Sequence, residues 1–446
     1  MPTLMPTAEE LGELLERLGG DKSSTSDAER IDLIAALEAL KGAAAAAQAR
    51  LTVAFDASQR SDQAAQGVPA KRQGLGVAGQ LALARRDSPN RGARHLGLAR
   101  ALVTEMPHTL RALGQGRISE WRATILVRET AVLSAQHRTE VDASLADRID
   151  ALGDRGVERE AKKLAYALDP GSVLRRARKA EADRRVSVRP APDTMSYVTG
   201  LLPVAQGVAV HAALTKHAAA VRAAGDRRTR GQIMADTLVE RVTGQAKAPD
   251  VPVEIQLVMT DRSLLAGDDT PARIVGHGPV PAALGRALMR AGEAGEAARV
   301  WVRRLFTSPS TGDLVAMDSR RREFPLSLRH FFVIRDEVCR TVWCDAPIRH
   351  ADHVIRSADG GETSADNGQG LCEACNLAKE AAGWALTTSE GGAGDAVTVR
   401  TPTGHRYTST PPDPPGERPR WSDLRHLTGG GHSALEERLR RLAAPA

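Results

Sequence analysis

The residues 339–384, CRTVWCDAPIRHADHVIRSADGGETSADNGQGLCEACNLAKEAAGW, contain every cysteine of the chain: Cys339, Cys344, Cys372 and Cys375. A disulfide framework would spread its cysteines over a chain of this length, so four thiols in one short window read as a single metal site. One pair is five residues apart and the other three, the pattern of two knuckles around one tetrahedral zinc. A redox Cys-x-x-Cys is the competing reading of Cys372 and Cys375. The two further cysteines upstream, and the lack of a thioredoxin-like strand and helix around them, weigh against it.

The residues between the knuckles belong to a different chemistry. Asp352-His353 ends a short strand-like stretch, an Asp359-Gly360-Gly361 turn follows, then Asn367, and Asn376 stands directly after the last cysteine. Carboxylate and amide oxygens suit a hard cation such as Mg²⁺ better than they suit zinc. A neutral imidazole beside them suits a general base working near neutral pH. Together they predict a metal-assisted hydrolytic site braced by a separate structural zinc. The bland readings are a surface strand histidine for His353 and an ordinary turn asparagine for Asn367. His350 is an alternative base or a phosphate contact. Lys379, Arg356 and Arg340 are weaker candidates for phosphate contacts, with solvated positions as the alternative.

This window resembles an HNH endonuclease domain of the cysteine-rich type, in which two short strands and a helix surround one catalytic divalent ion. The resemblance implies Asp352 as a metal ligand, His353 as the base that activates water, Asn367 as the residue that holds the loop and orients the base, and Asn376 as the second metal ligand. It implies Mg²⁺ or Mn²⁺ at that centre, a structural Zn²⁺ on the four cysteines, and DNA as the partner. Products would carry 5′-phosphate and 3′-hydroxyl ends. One such site cuts one strand, so duplex cleavage calls for a second protomer, and a homodimer is among the expected partners. Two departures stand out: the wide Cys339–Cys344 gap, and Asn376 where the family more often has His. The remainder of the chain, with the segment Arg303–Cys339 leading into the motif, is similar to a large bacterial family that pairs an uncharacterised helical N-terminal domain with a C-terminal HNH nuclease. A zinc-containing nucleic-acid-binding protein that does not cleave, with a helical oligomerisation domain, is the competing reading. The intact Asp352, His353 and Asn376 set favours the nuclease.

The elements that must position these residues are mostly helical. Ser26 and Glu29 fit a capping box, and behind it Leu33, Leu37, Leu40, Ala44, Ala47, Leu51 and Phe55 recur at three- and four-residue steps. That stripe predicts a long helical hairpin, or a coiled-coil-like seam, over about 26–60, with the stripe in the core. Helices continue as a bundle over about 78–245. Within it, 107–134 imitates a DNA-reading helix-turn-helix, although two helices and a Gly-containing turn occur in any bundle. Arg185–Arg189 and Ser196–Leu202 read as a hairpin. A mixed strand and helix segment spans about 250–320, with strands at Val253–Thr260 and Val300–Phe306. Gly276-His277-Gly278 mimics a dinucleotide-binding turn but has Pro281 where the third glycine belongs. The expected domains are therefore 8–320, helical; 325–388, the small α+β nuclease; and 389–446, a Gly/Pro-rich linker, extended over Pro411–Pro419, with a short terminal helix at Ser433–Leu442.

Composition agrees with a mainly α body carrying a few short strands and a small α+β C-terminal domain. The chain has 446 residues, room for about two or three domains, and only 3% aromatic residues, which argues against an all-β sandwich. No apolar run approaches the roughly 18 residues that span a bilayer, and the N-terminus lacks the basic and apolar regions of a signal peptide. The expectation is a cytoplasmic protein without a membrane or small-molecule cofactor. The net charge of +6 does not by itself predict a polyanion partner. Its distribution says more: seven basic residues stand against two acidic between Arg175 and Arg189, and a second run begins at Arg320-Arg321-Arg322; such runs read as phosphate-binding faces, with a solvated helix face as the alternative.

Overall fold

In the computed structural model the described residues are 5–20, 26–247, 257–260, 262–294, 324–388 and 396–412. The expected strand at Val300–Phe306, the basic run at Arg320–Arg322, the terminal helix at Ser433–Leu442 and most of Pro411–Pro419 lie outside them. The chain divides into two compact units, 1–55 with 96–173, and 56–95 with 174–446. This division does not follow the expected boundary near 320. Among the described residues, no helix is long and apolar enough to cross a membrane.

The first unit is helical. It holds α1 (Ala8–Leu18), most of α2 (Asp27–Ala65), and, after α3 (Val77–Ala84), the second half of α4 (Pro89–Thr104). It continues through α5 (Pro107–Gly114), α6 (Glu120–Thr130), α7 (Ala135–Leu145) and α8 (Asp154–Leu168) into α9 (Pro170–Ala182). The capping box at the start of α2 is present: the Ser26 N–H donates to Glu29 at 2.7 Å and the Glu29 N–H to Ser26 Oγ at 3.3 Å. The hairpin expected over 26–60 is instead one continuous 39-residue helix. Its leucine stripe is not core either, since Leu33, Leu37, Leu40 and Leu51 are all exposed. The face that packs is made of Ala45, Ala46 and Ala49. Small side chains let α2 approach its neighbours closely, and a Cβ on Gly42 would lie 3.0 Å from the Leu113 and Ile118 carbonyls. The segment that imitated a helix-turn-helix belongs to this core. Ala123, Ile125 and Leu126 of α6 are buried, and the buried Asp142 of α7 accepts from the His108 and Thr109 amides at the start of α5.

The second unit contains the expected hairpin, β1 (Arg185–Pro190) antiparallel to β2 (Ser196–Leu201), then α10 (Val204–Ala223) and α11 (Arg230–Thr243). A small sheet follows, β3 (Leu257–Val258), β4 (Ala272–Ile274) and β5 (Gly278–Val280), with α12 (Ala282–Ala294) behind it. Gly276 and Gly278, with φ of 81° and 114°, form the turn between β4 and β5, so the Gly-His-Gly signal is a hairpin turn. The remaining elements are α13 (Leu326–Asp336), β6 (His350–His353), β7 (Gly368–Leu371), α14 (Glu373–Lys379), β8 (Ala385–Thr388), β9 (Val397–Arg400) and β10 (Arg406–Ser409). The linker expected from 389 onward is corrected at 397–409: β9 and β10 complete a three-stranded antiparallel sheet with β8.

Within this unit α3 packs on the C-terminal elements. A Cβ on Gly79 would lie 3.4 Å from Ala378 and from the Trp384 ring, and Thr403 Oγ1 donates to Gln80 Oε1 at 3.1 Å. Gly76, the residue before α3, has φ of +84°, and a Cβ there would fall 2.6 Å from Trp384 Nε1. Both the backbone conformation and the close approach require glycine. Gly76→Ala should therefore destabilise by about 1–3 kcal/mol. Gly97→Ala, in the exposed interior of α4 with nothing within 4 Å of the new methyl, should stabilise by about 0.5–1 kcal/mol. Thermal denaturation of the two variants side by side reads both signs.

Candidate active site and metal centre

The core under the site comes from α13, which buries Leu328, Phe331 and Phe332. Phe332 packs against Gly368 at the start of β7, where a Cβ would come within 2.0 Å of the ring. At the end of α13, Asp336 is fully enclosed. It accepts from Arg335 Nε at 2.7 Å and from the Gly370 amide at 2.7 Å. Arg335 in turn donates to the Ala365 carbonyl at 2.9 Å and the Gly368 carbonyl at 2.7 Å. This buried pair pins β7 to the helix, with each charge satisfied by backbone groups as well as by its partner.

Two knuckles carry the cysteines. The first is closed by the Cys339 amide on the Ala346 carbonyl at 2.8 Å and the Cys344 amide on the Thr341 carbonyl at 3.0 Å. Within it Trp343, and just after it Asp345, have left-handed backbone at φ of 61° and 45°. The second is the start of α14, where Cys372 is the N-cap and its sulfur accepts from the Cys375 amide. All four sulfurs are buried and lie within 4.8 Å of one another, with Cys344 3.6 Å from both Cys372 and Cys375. Tetrahedral zinc with Zn–S bonds of about 2.3 Å has sulfurs about 3.8 Å apart, so the cluster fits that ion. Contact with the Cys339 sulfur pushes the Cys344 and Cys375 thiols well up and the Cys372 thiol down, while Cys344 holds Cys339 low. Only some of the four can ionise unless a cation balances them.

Between the knuckles, β6 and β7 pair in antiparallel register, with Asp352 opposite Gln369 and His353 opposite Gly368. Alternation along a strand sends Asp352 and His353 to opposite faces of β6. Asp352 meets α14, where Lys379 Nζ lies 2.8 Å from its Oδ2. His353 lies on the side of α13: its ring stacks on Phe324 at 4.4 Å between centroids, and its Nε2 is 2.9 Å from Thr363 Oγ1. Asn367 closes the loop between the strands. Its Oδ1 accepts from the Ile355 amide at 2.8 Å, and its Nδ2 donates to the Ile355 and Glu362 carbonyls at 3.0 and 2.8 Å. Asn376 is half-buried on α14, one turn before Lys379 and hence on the side of that helix that meets β6.

The basic candidates are placed differently from one another. His350 is exposed at the start of β6. Arg356 is exposed and pairs with Glu380 at 3.1 Å. Lys379 is only 7% exposed, and its ammonium is shared by Asp352, Glu380 and the His353 carbonyl. It anchors α14 to β6 and is not a solvated helix position. Arg340, 4% exposed, pairs with Asp336 and is buried for the same kind of reason. Two residues at the site escape sequence reasoning altogether, Phe324 and Thr363. Neither type carries a chemical signature, and only the fold brings them onto His353.

The thiol cluster makes a direct prediction. The purified protein should hold about one zinc per chain, and Cys372→Ser should lose it together with the thermal stability of residues 339–388. Elemental analysis beside a denaturation curve reads both, and a variant without zinc that melts like the wild type would contradict a structural role.

Comparison with known proteins places both parts of the chain. A family model described as a domain of unknown function (DUF222) matches residues 29–336, more than half of the chain, and the HNH endonuclease model matches residues 339–382. No curated protein and no solved structure matches. The chain thus belongs to the DUF222 family and carries an HNH endonuclease domain directly after that region.

Proposed function

We infer that this protein is a metal-dependent endonuclease that hydrolyses phosphodiester bonds in DNA. The observation that carries the reading is the arrangement at the end of β6. A carboxylate, Asp352, and an imidazole, His353, adjoin there; Asn367 fixes the loop that follows, and Asn376 stands on α14 one turn before Lys379, which pairs with Asp352. Asp352 and Asn376 offer hard oxygen donors and would hold Mg²⁺ or Mn²⁺. The Asp352 Oδ2 atom is buried and, among the described residues, its partner is the Lys379 ammonium. When bound, the divalent ion supplies positive charge to the scissile phosphate and the departing 3′-oxygen.

The chain's own residues do the rest. His353 takes the proton of the attacking water. Thr363 and the Phe324 ring hold the imidazole in one orientation, and Asn367 keeps the backbone after it from drifting. Lys379 holds the Asp352 carboxylate against α14. Because Asp352 and His353 leave β6 on opposite faces, a phosphate served by both must sit at the end of the strand rather than over either face. The zinc cluster contributes no chemistry in this reading; it keeps α14 and the first knuckle where the strands need them.

The test is digestion of an end-labelled duplex with added Mg²⁺, followed by analysis of the ends. The expected products carry 5′-phosphate and 3′-hydroxyl groups. His353→Ala should lower the rate by about 10²–10⁴-fold, and Asp352→Ala should do likewise with zinc content unchanged. Equal cleavage by wild type and both variants would overturn the assignment.

A further inference from the structure

The hairpin β1–β2 and the end of the helix before it form an exposed basic stretch. Every residue of 177–190 is exposed, and so is every residue of β2. Arg178, Lys179, Arg184, Arg185 and Arg189 lie in this stretch, and among the described residues none of them pairs with a carboxylate. Arg184 and Arg185 donate only to nearby backbone carbonyls. Some arginines elsewhere are paired, such as Arg117 with Asp150, Arg148 with Glu160 and Arg228 with Asp226 and Asp236, while others, such as Arg94 and Arg227, stand exposed and singly along the chain. What sets this stretch apart is density: within 177–190 five basic residues stand against two acidic ones, Glu181 and Asp183, so the segment carries a local charge surplus.

The register of the hairpin sorts its two faces. Arg185, Ser187 and Arg189 share one face with their cross-strand neighbours Leu201, Thr199 and Tyr197. On that face the Arg189 guanidinium lies 4.1 Å over the Tyr197 ring, which fixes its direction at little entropic cost. The opposite face carries Val186, Val188 and Val198, each more than half exposed. Among the described residues no third strand joins the pair. A lone two-stranded ribbon is marginal in water and gains stability from whatever covers it.

The geometry points to a duplex-DNA-binding arm formed by the end of α9 and the β1–β2 hairpin, with Arg178, Lys179, Arg184, Arg185 and Arg189 on the phosphates. The inference rests on the nuclease reading for the identity of the polyanion. Charge complementarity favours it: unpaired guanidinium and ammonium groups displace condensed counterions from phosphate, and a two-stranded ribbon fits a major groove about 12 Å wide. A hairpin with Thr, Ser and Tyr hydroxyls beside two arginines offers the usual donors to phosphate oxygens.

The test uses the full-length protein and a short fluorescent duplex, with magnesium omitted and salt varied. Changing Arg178, Lys179, Arg184, Arg185 and Arg189 together to Ala should weaken binding by at least about tenfold. It should also make the salt dependence shallower by about 0.9 in log–log slope for each phosphate that is no longer neutralised. A control with the same charge loss, Arg30, Arg117, Arg122, Arg148 and Arg228 to Ala, should do neither, and circular dichroism checks that both fold. Arm and control variants with equal affinity and slope would overturn the proposal, as would a loss confined to single-stranded RNA. Unchanged binding by the arm variant alongside loss of cleavage in His353→Ala would sink the arm and leave the nuclease standing. Weakened duplex binding by the arm variant alongside undiminished cleavage by His353→Ala would do the reverse.

Discussion

Four buried cysteine sulfurs within 4.8 Å of one another are the constraint on which the HNH domain depends. Such a cluster is an ion site or it is a liability, because buried thiols this close cannot all ionise without a cation. The elements it joins are too short to persist alone. β6 and β7 have four residues each and α14 has seven, well below the length at which an isolated helix is stable in water. Joining the first knuckle to the N-terminus of α14 ties the ends of this small motif together. Asp352, His353 and Asn376 then occupy fixed places on a frame that hydrophobic burial alone would not support.

A second layer of support comes from sequence outside the cysteine window. The Phe332 ring on Gly368 and the Asp336 carboxylate on the Gly370 amide bind β7 to α13. Phe324 extends the same aromatic cluster onto the His353 ring. On the other side β10 returns to the first knuckle, where Ser409 Oγ donates to the Arg340 carbonyl at 2.6 Å. Helix α3, about 300 residues earlier in the chain, lies against Ala378 and Trp384. The nuclease motif is therefore embedded in its unit and not appended to it. This gives the DUF222 region a structural part in the site through residues 76–80.

The cysteine cluster and the HNH motif were more legible in the sequence than the architecture. The cysteine spacing and the Asp-His, Asn, Asn series are local signals, since ligands and bases must be particular residue types at particular steps. Their placement on β6, on the closing loop and on α14 follows that order. The capping box at Ser26 and the hairpin at 185–201 were legible for the same local reason. The stripe on α2 misled because periodicity reports that a helix is amphipathic without saying which face has a partner. The alanine face could approach its neighbours closely, and the leucines remain outside. Strands β9 and β10 were hidden in Gly- and Pro-rich sequence, where alternation over four residues is too short to stand out. The burial of Lys379 and Arg340 was invisible because both depend on acids, Asp352 and Asp336, brought to them by tertiary structure.

The central question is whether the end of β6 is a hydrolytic centre. The most direct measurement is conversion of supercoiled plasmid by wild-type protein and by His353→Ala, each with Mg²⁺ and with zinc content verified as equal. The account predicts nicked or linear plasmid from the wild type alone. Equal conversion by both proteins, or by neither under any divalent ion, would contradict it.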